Sequence, residues 1–139
     1  MVDPAGNVHI ALARDVSAAF QSRRAVRNLL DGEATAPFVG DAMLATSELV
    51  TNAVLHAVGP IELCARFDQP RGWLRVEVSD ASKAPPRPPA RPAREQVGGL
   101  GLRVVAAVSS SWGSVFHERG KTVWFELVEP AGVSPDVST

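Results

Sequence analysis

The sequence predicts an α+β chain, a two-layer sandwich in which a mixed, mostly antiparallel sheet packs on about three helices. Three observations carry this. Ile61–Phe67 with Trp73–Val78, and Val115–His117 with Val123–Leu127, are alternating apolar stretches close enough to pair as hairpins. Apolar residues at helical spacing fill two regions, one before the first hairpin and one between the two. A single strand pattern, Val8, Ile10 and Leu12, opens the chain. Elements that each bury one face favour a layered α/β packing.

Taken in order, the first strand covers about residues 8 to 14. Asp15 and Ser17 are candidate N-caps for a helix through Phe20, Val26, Leu29 and Leu30, which stops near Asp31-Gly32. This helix carries Arg23, Arg24 and Arg27, either a solvated basic face or a docking face. Pro37 suits the first turn of a second helix, which runs to about Ala57 and ends before Gly59-Pro60. The first hairpin turns between Asp68 and Gly72. Pro85, Pro86, Pro88, Pro89 and Pro92 then exclude a helix or an inner strand between Lys83 and Glu95. That stretch reads as a mobile or polyproline-like loop leading into Gly98-Gly99-Leu100-Gly101. A third helix follows from Leu100 to about Ser110. The last hairpin turns at Arg119-Gly120. The domain is expected over 1–129, with a flexible polar tail over 130–139.

Composition excludes several classes. A chain of 139 residues with a net charge of −1 lacks the basic excess that non-specific nucleic-acid binding needs. No run of about 18 apolar residues is available to span a membrane. No secretory leader is visible, and Cys64 is the only cysteine, so a reducing cytoplasm is expected. Neither Cys64 nor the three histidines, His9, His56 and His117, form a pair at ligand spacing, so no zinc site is expected.

The second helix is the informative one. Met43, Val50, Ala53, Val54 and Ala57 share one side, and Leu44, Ala45 and Leu55 another. A helix so apolar is expected to be largely buried. Within it Glu48, Asn52 and His56 recur every four residues, within an arc of about 80°. A carboxylate buried without a partner costs several kcal/mol, so Glu48 should face a partner, a metal or a wet cleft. A structural role also fits the stripe, with Glu48 capping a loop and Asn52 and His56 bonded to backbone.

The glycine motifs narrow the chemistry. Gly120-Lys121-Thr122 imitates the end of a phosphate-binding P-loop, but Val115 stands at the required first glycine and a strand follows. Gly98-Gly99-Leu100-Gly101 is not a dinucleotide fingerprint, since a Pro-rich stretch precedes it and Val104 replaces the last glycine. No Gly-x-Ser-x-Gly elbow is present. A glycine cluster opening a helix can bind phosphate, or can serve as a hinge or a close helix contact. Asp80 ends a strand, where turns and caps are the common roles.

These pieces occur in a familiar order. Glu48-x3-Asn52-x3-His56 on a helix, Asp80 after a strand, Gly98-Gly99-Leu100-Gly101-Leu102 after a variable loop and Gly120-Lys121-Thr122 before a last strand resemble the GHKL, histidine-kinase-like, ATPase superfamily. The stretch LATSELVTNAVLHA is most similar to its anti-sigma-factor serine/threonine kinase branch. The resemblance spans about residues 8 to 128.

It implies the Bergerat ATP-binding fold and bound ATP with Mg²⁺. In that light Glu48 matches the general base and Asn52 the Mg²⁺ ligand. Asp80 matches the acceptor of the adenine amino group, and Thr122 the threonine that supports the adenine and Asp80. Gly99 and Gly101 match the lid glycines, within a lid at about 81–99. His56, Ser82, Gly98, Leu100 and Leu102 complete the implied ATP site. Arg23, Arg24 and Arg27 are the implied partner-binding face. One departure stands out: the usual Asp-x-Gly-x-Gly is here Asp80-Ala81-Ser82-Lys83-Ala84, with both glycines missing.

The resemblance implies transfer of the ATP γ-phosphoryl group to a serine of an anti-sigma-factor antagonist. An alternative is a nucleotide-dependent anti-sigma or partner-switch module with little or no transfer. A third is the same fold without nucleotide, against which stands the joint presence of Glu48, Asn52, Asp80 and the lid glycines. Expected partners are a sigma factor, an antagonist protein, or both. The resemblance also allows a homodimer, formed through the first strand and helix. No separate segment bears a phosphoacceptor histidine, so a full two-component sensor kinase is not expected.

Overall fold

The computed structural model describes residues 3–83 and 100–129, with backbone only for residues 100–102. Its elements are β1 (Asn7–Leu12), α1 (Ser17–Leu30), α2 (Ala36–His56), β2 (Ile61–Asp68), β3 (Trp73–Asp80), α3 (Leu100–Val108), β4 (Ser111–His117) and β5 (Gly120–Val128). The order matches the one expected. The Pro-rich stretch from Ala84, Gly98, Gly99 and the tail from Pro130 lie outside the described residues.

One five-stranded sheet has the order β1-β2-β3-β5-β4. Every described ladder is antiparallel, so the expected mixed sheet contains no parallel pair. Two of the four ladders, β2–β3 and β4–β5, are hairpins joined by short turns, which can only run antiparallel. Strand alternation then sorts the residues. Leu63, Ala65, Phe67, Leu74, Val76, Val78, Val123, Phe125 and Leu127 are buried under the helices. Arg66, Trp73, Arg75, Glu77, Trp124 and Glu126 take the alternate positions and form the opposite face.

On that outer face Arg75 is a clamp. Its Nε donates to Glu77 at 2.7 Å and its Nη1 to Glu126 at 2.8 Å. Its guanidinium also lies 4.2 Å from the ring centre of Trp124. These two carboxylates hold the Arg75 pKa above its usual value, although burial opposes them.

The helices depart from expectation in detail. Asp15 Oδ1 accepts from the Ser17 N–H and hydroxyl, so Ser17 is the first helical residue rather than a cap. In α2, Phe38, Ala42, Met43, Ala45, Leu49, Val50 and Ala53 are buried. Leu44 and Leu55 are not: they are 44% and 68% exposed, because only one layer covers this helix and its outer side stays in water. β4 begins at Ser111, four residues before the expected start at Val115, since pairing with β5 recruits a stretch whose Gly113 and serines carry little strand pattern of their own.

Candidate functional site at the end of the sheet

The site is built from the last turns of α2 and the ends of β3 and β5. Thr35 caps α2 by accepting from the Phe38 N–H, and Pro37 sits in its first turn. The helix stops where the Ala57 N–H closes on the Ala53 carbonyl. The connector Val58-Gly59-Pro60 follows, with Gly59 at φ +73°. The Val58 carbonyl accepts from the Ala81 N–H at 2.8 Å, so the end of α2 and the residue after Asp80 are tied together. The Arg14 guanidinium adds a second tie by donating to the Ala57 carbonyl.

Asn52, His56, Asp80 and Lys121 line one narrow cleft, with Val78 and Val123 as its apolar wall. Of the sequence-derived residues the structure therefore brings Asn52, His56 and Asp80 together. Glu48 is half-buried one turn earlier on α2 and is not part of this lining. Among the described residues, the side chains of Glu48, Asn52, His56 and Lys121 make no hydrogen bond or ion pair. None of these side chains caps a loop or bonds to backbone among the described residues.

Asp80 is 8% exposed. Its Oδ1 accepts from the Ser82 N–H at 2.6 Å, and Oδ2 has no donor among the described residues. Among the described residues no non-glycine residue has a positive φ, so Ala81 and Ser82 follow Asp80 in conformations open to any side chain. Ser82, at the first of the two missing glycine positions, therefore carries no such strain; Ala84, at the second, lies outside the described residues.

Thr122 is placed differently from its implied role. In the β3–β5 ladder Ser79 faces Thr122, and Asp80 faces Lys121. The period of two sends Thr122 to the outer face. There its hydroxyl pairs with Ser79 Oγ at 2.8 Å and His117 Nε2 at 3.0 Å. Lys121, missed by the motif reading, is the residue beside Asp80. Gly120, which the sequence places in a turn and in the Gly120-Lys121-Thr122 motif, has a further constraint. It has φ +148°, and an added Cβ would lie 1.9 Å from the Asp80 carbonyl oxygen.

Outside the cleft, Arg23 Nη1 donates to Ser47 Oγ at 3.0 Å and joins α1 to α2. Arg24 and Arg27 are exposed, as is Phe20. Gly101 lies in the first turn of α3, and nothing is described of the Leu100 and Leu102 side chains.

The arrangement is that of a two-layer α/β sandwich with a polar cleft where helix layer and sheet end meet. Sequence comparison supplies the family: the model of the histidine kinase-like ATPase domain matches residues 4–127. The chain belongs to that family. The crystal structure of the RsbU and RsbW domains of Rv1364c from Mycobacterium tuberculosis has the same fold, with a TM-score of 0.64 and 24% identity. The alignment covers 90% of this chain and 33% of that one, so the chain spans about a third of that structure's length. Comparison with proteins of curated function gave no match.

Proposed function

We propose that the protein binds ATP in the cleft and transfers its γ-phosphoryl group to a serine of an anti-sigma-factor antagonist. The carrying observation is the meeting of Asn52, His56 and Asp80 in one cleft, their polar groups free of partners within the described fold except at Asp80 Oδ1. The donors suit a magnesium nucleotide. The Asn52 amide offers a hard oxygen ligand. No cluster of three His, Cys, Asp or Glu occurs among the described residues, which fits an ion held by few protein oxygens and by phosphate. Bound there, Mg²⁺ would neutralise phosphate charge.

In this reading Asp80 accepts from the adenine amino group, while Val78 and Val123 exclude water beside it. Asn52 orients the phosphates. Glu48 takes the proton of the acceptor serine as its oxygen bonds to the γ-phosphorus and the bond to the bridging oxygen breaks, leaving ADP. Arg24 and Arg27, exposed on α1, face the partner. A sigma factor is the second partner in the same reading.

One observation favours a second reading. Glu48 stands apart from the cleft lining, which suits a module that binds ATP and changes partner affinity without transferring phosphate. Calorimetric titration with ATP, with and without Mg²⁺ and with GTP as control, comes first. Mg²⁺-dependent binding lost in Asn52→Ala supports the site. In a transfer assay on candidate antagonists, Glu48→Gln should keep ATP binding and lose transfer about 10²- to 10⁴-fold. Transfer by the variant at the wild-type rate would remove the base role. Binding without transfer by the wild type would leave the second reading.

A further inference from the structure

We propose that Lys121 is a base-specificity residue, its ammonium donating to a purine ring nitrogen beside the amino group that Asp80 accepts. The inference rests on the nucleotide reading of the cleft and deepens it. Lys121 is half-buried, lines the cleft, and makes no ion pair among the described residues. It is the cross-strand partner of Asp80. Residues opposite one another in an antiparallel ladder lie about 4.5–5.5 Å apart at Cα and share a face. The cation therefore starts from the base end of the cleft, where the carboxylate is.

The two groups are chemically complementary and cannot exchange roles. An ammonium only donates and an ionised carboxylate only accepts. Ser82 already occupies Asp80 Oδ1, so Oδ2 remains for the ligand. Side by side they offer one acceptor and one donor. The adenine edge presents the matching order, an amino N–H at C6 next to the N1 acceptor. Guanine presents the reverse order, O6 as acceptor next to N1–H as donor, and must change its pose to pair. A cleft with Asp80 alone reads the amino group; with Lys121 it also reads N1.

The test uses the full chain, ATP, and 1-deaza-ATP, in which N1 is a C–H. Calorimetric titration should show wild type binding 1-deaza-ATP about 10- to 100-fold more weakly than ATP. Lys121→Met should lose a similar factor for ATP and treat the two nucleotides alike. No penalty for 1-deaza-ATP on the wild type, which needs no variant to be measured, overturns the base contact. So does an equal penalty in both proteins. Failure of wild type to bind ATP at all overturns the nucleotide reading itself and this contact with it.

Discussion

Gly120 and Asp80 meet backbone to backbone: a Cβ on Gly120 would stand 1.9 Å from the Asp80 carbonyl oxygen and 2.9 Å from the Ala81 Cα. Neither atom belongs to a flexible side chain that could give way. The start of β5 thus holds the end of β3, and with it the carboxylate of the cleft.

Gly120→Ala should accordingly force the two strand ends apart and also place alanine at φ +148°. A loss of at least about 2 kcal/mol in urea unfolding is expected. Gly32, at φ +71° with open space around its Cβ position, is the control. Gly32→Ala should cost only about 1 kcal/mol, from backbone conformation. Equal costs at the two positions would argue against the close approach.

Arg75 joins β3 to β5 across the outer face. Arg75→Met keeps much of the stem over Trp124 but removes both ion pairs, leaving Glu77 and Glu126 on the same face without a cation between them. The pairs are partly exposed, so the expected loss is about 1–2 kcal/mol. The difference should shrink in 1 M salt. A midpoint unchanged in urea, or a loss independent of salt, would contradict this.

Cys64 lies on the same face, half-buried. Burial raises its thiol pKa first, and the charges of Glu77 and Glu62 raise it further. The reactive thiolate is therefore scarce at neutral pH. Alkylation by iodoacetamide at pH 7.5 should be several-fold slower in the folded protein than in 8 M urea. Glu77→Gln should speed the folded reaction. An unchanged rate in that variant would rule out the charge contribution.

Asp15 carries the acid-sensitive link at the start of α1. Its carboxylate accepts from the Ser17 hydroxyl and N–H, and both lower its pKa below the ordinary 3.8. A depressed carboxylate stabilises the folded chain above the unfolded value and loses that contribution as pH falls through the folded one. An NMR titration should place the Asp15 midpoint below 3.8, with the Ser17 amide shift following the same curve. Ser17→Ala should move the midpoint back up. A midpoint at the unfolded value would mean that the turn does not form in solution.

Much of the fold was legible because alternation and helical spacing are local. Phe67, Leu74, Val76, Val78, Phe125 and Leu127 all declare their face by parity alone. The stripe of Glu48, Asn52 and His56 was legible for the same reason, and the structure joins two of its members to Asp80. The choice between Lys121 and Thr122 was not. Adjacent strand residues point to opposite faces, so it depends on the register between β3 and β5, set by pairing across more than forty residues. Gly120 was opaque likewise: its constraint is the Asp80 backbone, distant in sequence. Leu44 and Leu55 misled because an apolar side chain does not announce whether a second layer will cover it.

The order β1-β2-β3-β5-β4 makes the sheet tolerant of extra chain at one point. The step from β3 to β5 places neighbours in space at the two ends of a long excursion, residues 81 to 119, which itself carries α3 and β4. Closing such an excursion costs chain entropy that grows only with the logarithm of its length, so doubling it adds about 0.6 kcal/mol. Chain added there outside α3 and β4 therefore raises the cost of closing the sheet only slightly. Extra chain in the stretch that leaves the cleft thus costs the fold little, while the pairing of Asp80 with Lys121 keeps its register.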